Sequence, residues 1–248
     1  MKQNRILMGM PITLEVVDDG ATPQLFERVF DYLGYMDRKF STYKDESEIS
    51  SINRHELALD QASEDMQIVL ELSEQMRLET GGYFNIQRKG SIDPSGLVKG
   101  LAILNAAQMI RQEGFENFYV EAGGDIQVFG KNTSCQNWRV GIRNPFNMHE
   151  IVKVLSLSDC GIATSGVYIR GQHIYNPYDE GAPITDIVSL TVIGPDIYYA
   201  DCFATAAFAM GKEGIDFIEH LDGFEGYVID THRQATFTSG FSRYVCHD

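Results

Sequence analysis

The sequence predicts an α+β fold in which a largely antiparallel sheet packs against helices. Three observations carry this. Apolar residues recur at helical spacing through the first part of the chain, short β-like runs separated by glycine and proline take over from residue 117, and helical spacing returns near 199–221. Strands and helices do not alternate strictly, as a parallel βαβ sheet requires. No repeat, low-complexity tract or linker divides the chain, so one domain over residues 1–248 is expected.

The elements follow in order. Residues 5–17 read as a strand, ended by Asp18-Asp19-Gly20. Thr22-Pro23 reads as an N-cap with proline at the first helical position, and Leu25, Phe26, Val29, Phe30 and Leu33 then fall on one face. A polar loop covers 41–48. The next helix spans about 64–79, with Met66, Val69, Leu70 and Met76 inward and Thr80-Gly81-Gly82 as its stop. A third helix runs from Gly96 to Arg111. Strands are expected at 117–129, 137–142, 151–157, 160–164, 167–176 and 187–193, helices at 199–210 and 213–221, and last strands near 225–230 and 235–238.

Composition narrows the function. The 248 residues are 44% hydrophobic and 22% charged, as expected of a globular protein. A net charge of −15 argues against a broad nucleic-acid footprint, so no nucleic-acid partner is expected. It also means that an anionic ligand needs local cations, a metal or backbone N–H groups. Cys135, Cys160, Cys202 and Cys246 are far apart, with no CxxC pair, which predicts neither a zinc site nor a disulfide framework. No apolar run reaches the roughly 20 residues of a membrane span. The N-terminus has no h-region and no lipobox-like cysteine, so no membrane segment and a cytoplasmic location are expected.

Four segments hold groups capable of chemistry. In Ala200-Asp201-Cys202-Phe203-Ala204-Thr205-Ala206-Ala207-Phe208, a small-residue helix, Asp201 and Thr205 are one turn apart and share a face. Such oxygens suit Mg²⁺, and the positive helix end would favour a phosphate; the same residues also read as a cap and a surface threonine. Asp93-Pro94-Ser95-Gly96-Leu97-Val98-Lys99-Gly100 makes a turn into a helix and puts a carboxylate, an ammonium and free backbone groups close together. Its spacing is not that of a P-loop. Glu121-Ala122-Gly123-Gly124-Asp125-Ile126 reads as a hairpin turn, with Asp125 starting the return strand. Thr164-Ser165-Gly166 offers hydroxyls at a strand end, followed by Arg170 and His173, a phosphate partner and a candidate base.

Together and in this order, these segments resemble the ApbE family, the FAD:protein FMN transferases. Met8-Gly9, Ser41-Thr42-Tyr43, Ser47-Glu48-Ile49-Ser50 and Thr80-Gly81-Gly82-Tyr83-Phe84-Asn85 add to the likeness. The resemblance implies a single ApbE-like, T-fold-like domain. It implies contacts to FAD from Met8, Tyr43, Tyr83, Phe84, Asn85, Asp93, Lys99 and Ile174. It implies a Mg²⁺ site from Gly96 (through its carbonyl), Asp201, Ala204 and Thr205, with His173 as base. Family members cleave the FAD pyrophosphate, pass FMN to a Ser or Thr hydroxyl of an acceptor protein and release AMP; some hydrolyse FAD to FMN and AMP instead. Met10 departs from the family's threonine, and Asn85 and Asn176 stand where aspartate is common. The short Asn85–Asp93 and Arg170–His173 segments leave a FAD pyrophosphatase as one alternative, and the two asparagines leave a non-catalytic flavin binder as another.

Overall fold

The computed structural model describes residues 1–167, 174–179 and 182–246. Among the described residues, eight antiparallel strands form the main sheet. In spatial order they are β1 (Lys2–Leu7), β2 (Met10–Val16), β5 (Phe118–Ala122), β6 (Asp125–Phe129), β9 (Cys160–Gly166), β10 (Ile187–Gly194), β11 (Glu225–Asp230) and β12 (Ala235–Phe237). Two smaller ladders stand apart: β3 (Gln87–Arg88) with β4 (Ser91–Ile92), and β7 (Trp138–Asn144) with β8 (Asn147–Leu157). The helices are α1 (Pro23–Phe40), α2 (Glu48–Asn53), α3 (Glu64–Glu79), α4 (Ser95–Gln112), α5 (Ile197–Ala209) and α6 (Gly214–Glu219).

Strand periodicity divides the core in two. Ala163, Val192 and Val228 face the helices, where Phe26, Phe30, Leu33, Ile103 and Phe208 complete the larger cluster. Their neighbours Ile162, Ile193 and Ile229 face the other way and meet Trp138, Val140, Leu155 and Leu157 of the β7–β8 hairpin, together with Phe241. The central strands of the sheet are covered on both faces. That is why β10 is buried along its whole length, without the alternation of a half-exposed strand.

Hairpin register gathers several turns at one end of the sheet. Leu7 pairs with Met10, Ile12 with Ala122, Ala122 with Asp125, Ile126 with Ile162, and Gly166 with Ser189. Met8-Gly9, Gly123-Gly124, Asp125 and Thr164–Gly166 therefore share that end. The turn at Met8-Gly9 splits the expected strand over 5–17 into β1 and β2. Both residues have positive φ, 54° and 71°, as a two-residue hairpin turn requires, and a methionine there hides the turn from composition. The strand region expected over 117–129 is β5 and β6, joined at Gly123-Gly124 by the hairpin turn expected there.

Other boundaries move for local reasons. Ser47 accepts the Ser50 N–H at 3.1 Å and so starts α2 at the last residue of the expected polar loop, in a stretch where no helix was expected. Asp196 accepts the Tyr199 N–H at 3.0 Å and starts α5 two residues earlier than expected. Of the strand expected over 167–176, residues 168–173 lie outside the described residues; beyond them Tyr175 forms an isolated β-bridge to Pro183.

Helix α5 lies very close to its neighbours. Gln127, fully buried, accepts the Ile197 N–H at 2.8 Å, and a Cβ on Gly161 would collide with the Ile197 backbone. On the other side α4 crosses α5 at Gly100, where a Cβ would lie 2.9 Å from Asp201 Cβ and 3.0 Å from the Ile197 carbonyl. Among the described residues no helix is long and apolar enough to cross a membrane.

Gly100→Ala tests this crossing. Overpacking against main-chain atoms costs about 1–3 kcal/mol, against at most about 1 kcal/mol gained in helix propensity. A lower urea midpoint with an unchanged slope is expected; an equal or higher midpoint would show that the helices have room to part.

Candidate functional site

The close crossing brings three charged side chains from three elements together. Lys99 of α4 forms ion pairs with Asp125, the first residue of β6, and with Asp201 Oδ1 of α5 at 3.3 Å. Asp201 Oδ2 accepts the Gly100 N–H at 3.0 Å. Asp125 Oδ1 accepts the Thr164 N–H at 3.0 Å, and Thr164 Oγ1 shares a hydrogen bond of 2.8 Å with Thr191 Oγ1. Asp125 Oδ2 faces the Lys99 ammonium without a well-directed hydrogen bond.

Both carboxylate side chains are 3% exposed. Two buried acids thus share one ammonium, and full ionisation would leave a negative charge uncompensated by it. Burial accordingly pushes the Asp201 carboxyl up to about 7; the Lys99 ammonium pulls it down and Asp125 adds to the rise.

One turn beyond Asp201, Thr205 Oγ1 lies 3.5 Å from Ser165 Oγ at the end of β9. Gly96, in the first turn of α4, closes the other side: a Cβ there would sit 3.6 Å from Thr205 Oγ1 and 3.5 Å from Phe84 Cε2. Ala204 is fully buried beside them. The Gly100 N–H that Asp201 accepts is also the one an α-helix directs at the Gly96 carbonyl. Competition for that donor makes the Gly96 oxygen more available to a ligand.

These donors are all oxygens, the set preferred by a hard cation such as Mg²⁺, and the carboxylates lack full compensation. The residues present therefore fit the metal. Among the described residues no three His, Cys, Asp or Glu side chains form a metal-holding group, so hydroxyl and main-chain oxygens would have to share the shell.

The other expected site residues lie on several different elements. Met8 sits half-buried at the β1–β2 turn. Asp93 Oδ1 accepts the Ser95 N–H at 3.1 Å and orders the start of α4. Asn85 Oδ1 accepts the Gln87 N–H at 2.8 Å, a turn-forming role. Phe84 is 2% exposed and lies beneath the site as core, whereas Tyr83 is half-buried and meets Tyr178 edge-on. Ile174 packs on the main core, and Tyr43 stands 89% exposed on its loop. His173 and Arg170 lie outside the described residues.

Two points differ from the sequence reading. Asp201 is five residues into α5 and Asp196 is the cap, so the positive helix end is not at the Asp201–Thr205 face and does not serve a phosphate there. Asp125 was read only as the start of a strand, yet it is the second acid on Lys99. Its position just after a double-glycine turn was the available cue.

The ApbE family profile matches residues 8–89 and 86–228. Over 132 residues the chain is 33% identical to the FAD:protein FMN transferase of Vibrio cholerae, covering 49% of this chain and 39% of that protein. Over 148 residues it is 31% identical to the Escherichia coli K12 protein of the same name, covering 56% of this chain and 42% of that one. The chain thus spans well under half the length of these curated relatives. Among solved structures, the flavin transferase ApbE of Vibrio cholerae superimposes with a TM-score of 0.86 over 98% of both chains, at 22% identity. The ApbE protein of Thermotoga maritima gives 0.87 over 100% of this chain and 99% of that one, at 20%. At these identities the structural likeness speaks for the fold: helices packed on a large antiparallel sheet.

The buried acid gives the chain a pH signature. An unfolded aspartate releases its proton near 3.8, whereas folded Asp201 keeps it to about 7. Between those values the folded chain binds more protons than the unfolded one, so this group's contribution to stability falls as pH rises through the window and levels off above it. Asp201→Asn is expected to flatten that slope in metal-free urea titrations; an unchanged slope would place the dependence elsewhere.

Proposed function

Because the chain belongs to the ApbE family, we propose that it is a Mg²⁺-dependent FAD:protein FMN transferase. It would cleave the FAD pyrophosphate, join FMN through a phosphoester to a Ser or Thr of an acceptor protein, and release AMP. The convergence of Lys99, Asp125 and Asp201 beside Thr205, Ser165 and Gly96 carries this reading.

Asp201, Thr205 and the Gly96 carbonyl would hold the metal, with Ala204 packed behind and Ser165 within reach of Thr205. Mg²⁺, when bound, supplies positive charge to the phosphoryl oxygens and to the departing AMP phosphate. Lys99 orients both acids and favours the ionised form of Asp201, offsetting the effect of burial there.

The acceptor hydroxyl oxygen forms a bond to the FMN phosphorus. The anhydride P–O bond breaks, its electron pair leaves with AMP, and the hydroxyl proton passes to the His173 imidazole. The flavin, a flat ring system with polar edges, is met by Tyr43 and Tyr83. Met8, Asn85, Asp93 and Ile174 line its approach and Phe84 supports the site from below.

Incubation with FAD, Mg²⁺ and an acceptor carrying the recognised Ser or Thr should yield FMN-labelled acceptor and an equal amount of AMP. Asp201→Ala should lower labelling by about 100-fold or more, and Thr205→Ala by about 10-fold with a raised Mg²⁺ requirement, in line with the cost of disturbing a metal shell. Equal AMP without any acceptor would identify water as the nucleophile. No AMP under any metal condition would overturn the proposal.

A further inference from the structure

Residues 174–179 form a strap over the loop that follows α3. Asn176 builds it: its Oδ1 accepts the Tyr178 N–H at 2.9 Å and its carbonyl accepts the Asp179 N–H at 3.2 Å. Pro177 occupies the second turn position, which suits its fixed φ. This turn presents Tyr178 to the loop. The Tyr178 hydroxyl donates to the Gly81 carbonyl, and its ring meets Tyr83 edge-on, with centroids 5.1 Å apart and planes at 67°. Gly82 has φ +89°, and a Cβ there would collide with the Tyr178 hydroxyl, so the ring lies directly against the main chain.

A second fastening holds the same strap. The Tyr175 hydroxyl donates to the Gln87 carbonyl at 3.0 Å, and the Arg88 guanidinium sits 4.3 Å over the Tyr175 ring. Tyr178 itself is 67% exposed, so burial contributes little to its placement. Its hydroxyl and ring contact Gly81 and Tyr83, and Tyr83 leads directly into Phe84, which packs at Gly96 beside Thr205. A surface tyrosine is thus coupled to the inner site through one short loop.

We propose that Tyr178 is a positioning residue that fixes the Tyr83 ring for contact with the flavin ring system of FAD; this rests on the flavin-transferase reading. Tyr178→Phe keeps the ring and removes the hydrogen bond to Gly81. Tyr178→Ala removes the edge contact as well. The asparagine at position 176 joins the same device, because it forms the turn that aims Tyr178.

The test combines FAD binding, followed by quenching of flavin fluorescence, with steady-state AMP release in the presence of Mg²⁺ and acceptor. Losing one hydrogen bond should raise the Kd and KM for FAD about threefold in Tyr178→Phe. Losing the ring contact too should raise them about tenfold or more in Tyr178→Ala. In both variants kcat should stay within about twofold and the thermal midpoint should hold, as for an exposed side chain. Unchanged Kd and KM in both would overturn the proposal, as would a fall in kcat at constant KM. Should the unaltered protein bind FAD but release no AMP, the transferase reading fails while the fluorescence titration still decides the role of Tyr178. If the unaltered protein binds no FAD, both fall.

Discussion

The Lys99 ammonium lies between two buried carboxylates, and this arrangement binds α4, β6 and α5 into one unit. Each acid also takes a main-chain N–H, Asp201 from Gly100 and Asp125 from Thr164. The triad therefore fixes backbone as well as side chains. Among the described residues, one cation faces two buried anions, an unfinished balance. In a chain with net charge −15, no diffuse positive field is available to complete it. A bound divalent cation would, and the raised Asp201 carboxyl pKa is the same imbalance seen through a proton.

The rest of the fold serves that geometry. Hairpin turns at Met8-Gly9 and Gly123-Gly124 bring strand ends to one rim, and Asp125 begins its strand there. Cover on both faces of the central strands buries β9 and β10 behind Ser165 and Thr191. Glycines at 100 and 161 let α5 approach α4 and β9 more closely than any side chain would permit. Polar donors thereby converge in a region otherwise built as hydrophobic core.

The sequence reveals some of this well and some poorly. Helix α1 was legible because Thr22-Pro23 starts it and Leu25, Phe26, Val29, Phe30 and Leu33 are all buried at helical spacing. The pairing of Asp201 with Thr205 was legible because a helix puts such residues on one face whatever surrounds it. The partnership of Lys99 with Asp125 was not, because it depends on strand order and on how closely two helices cross. The β1–β2 turn escaped notice because a methionine occupies a left-handed position usually given to Gly or Asn. The start of α5 was missed because Asp196 and Asp201 both resemble caps, and only the Tyr199 N–H distinguishes them.

The proposed chemistry rests on family membership, and the proposed metal-holding atoms rest on this geometry. The most direct measurement is an anomalous-scattering map from crystals grown with FAD and Mn²⁺ as a stand-in for Mg²⁺. A peak about 2.0–2.3 Å from an Asp201 carboxylate oxygen and from Thr205 Oγ1 is expected. A peak elsewhere, or a clear map showing Asp201 still paired with Lys99 and no metal beside it, would contradict the account.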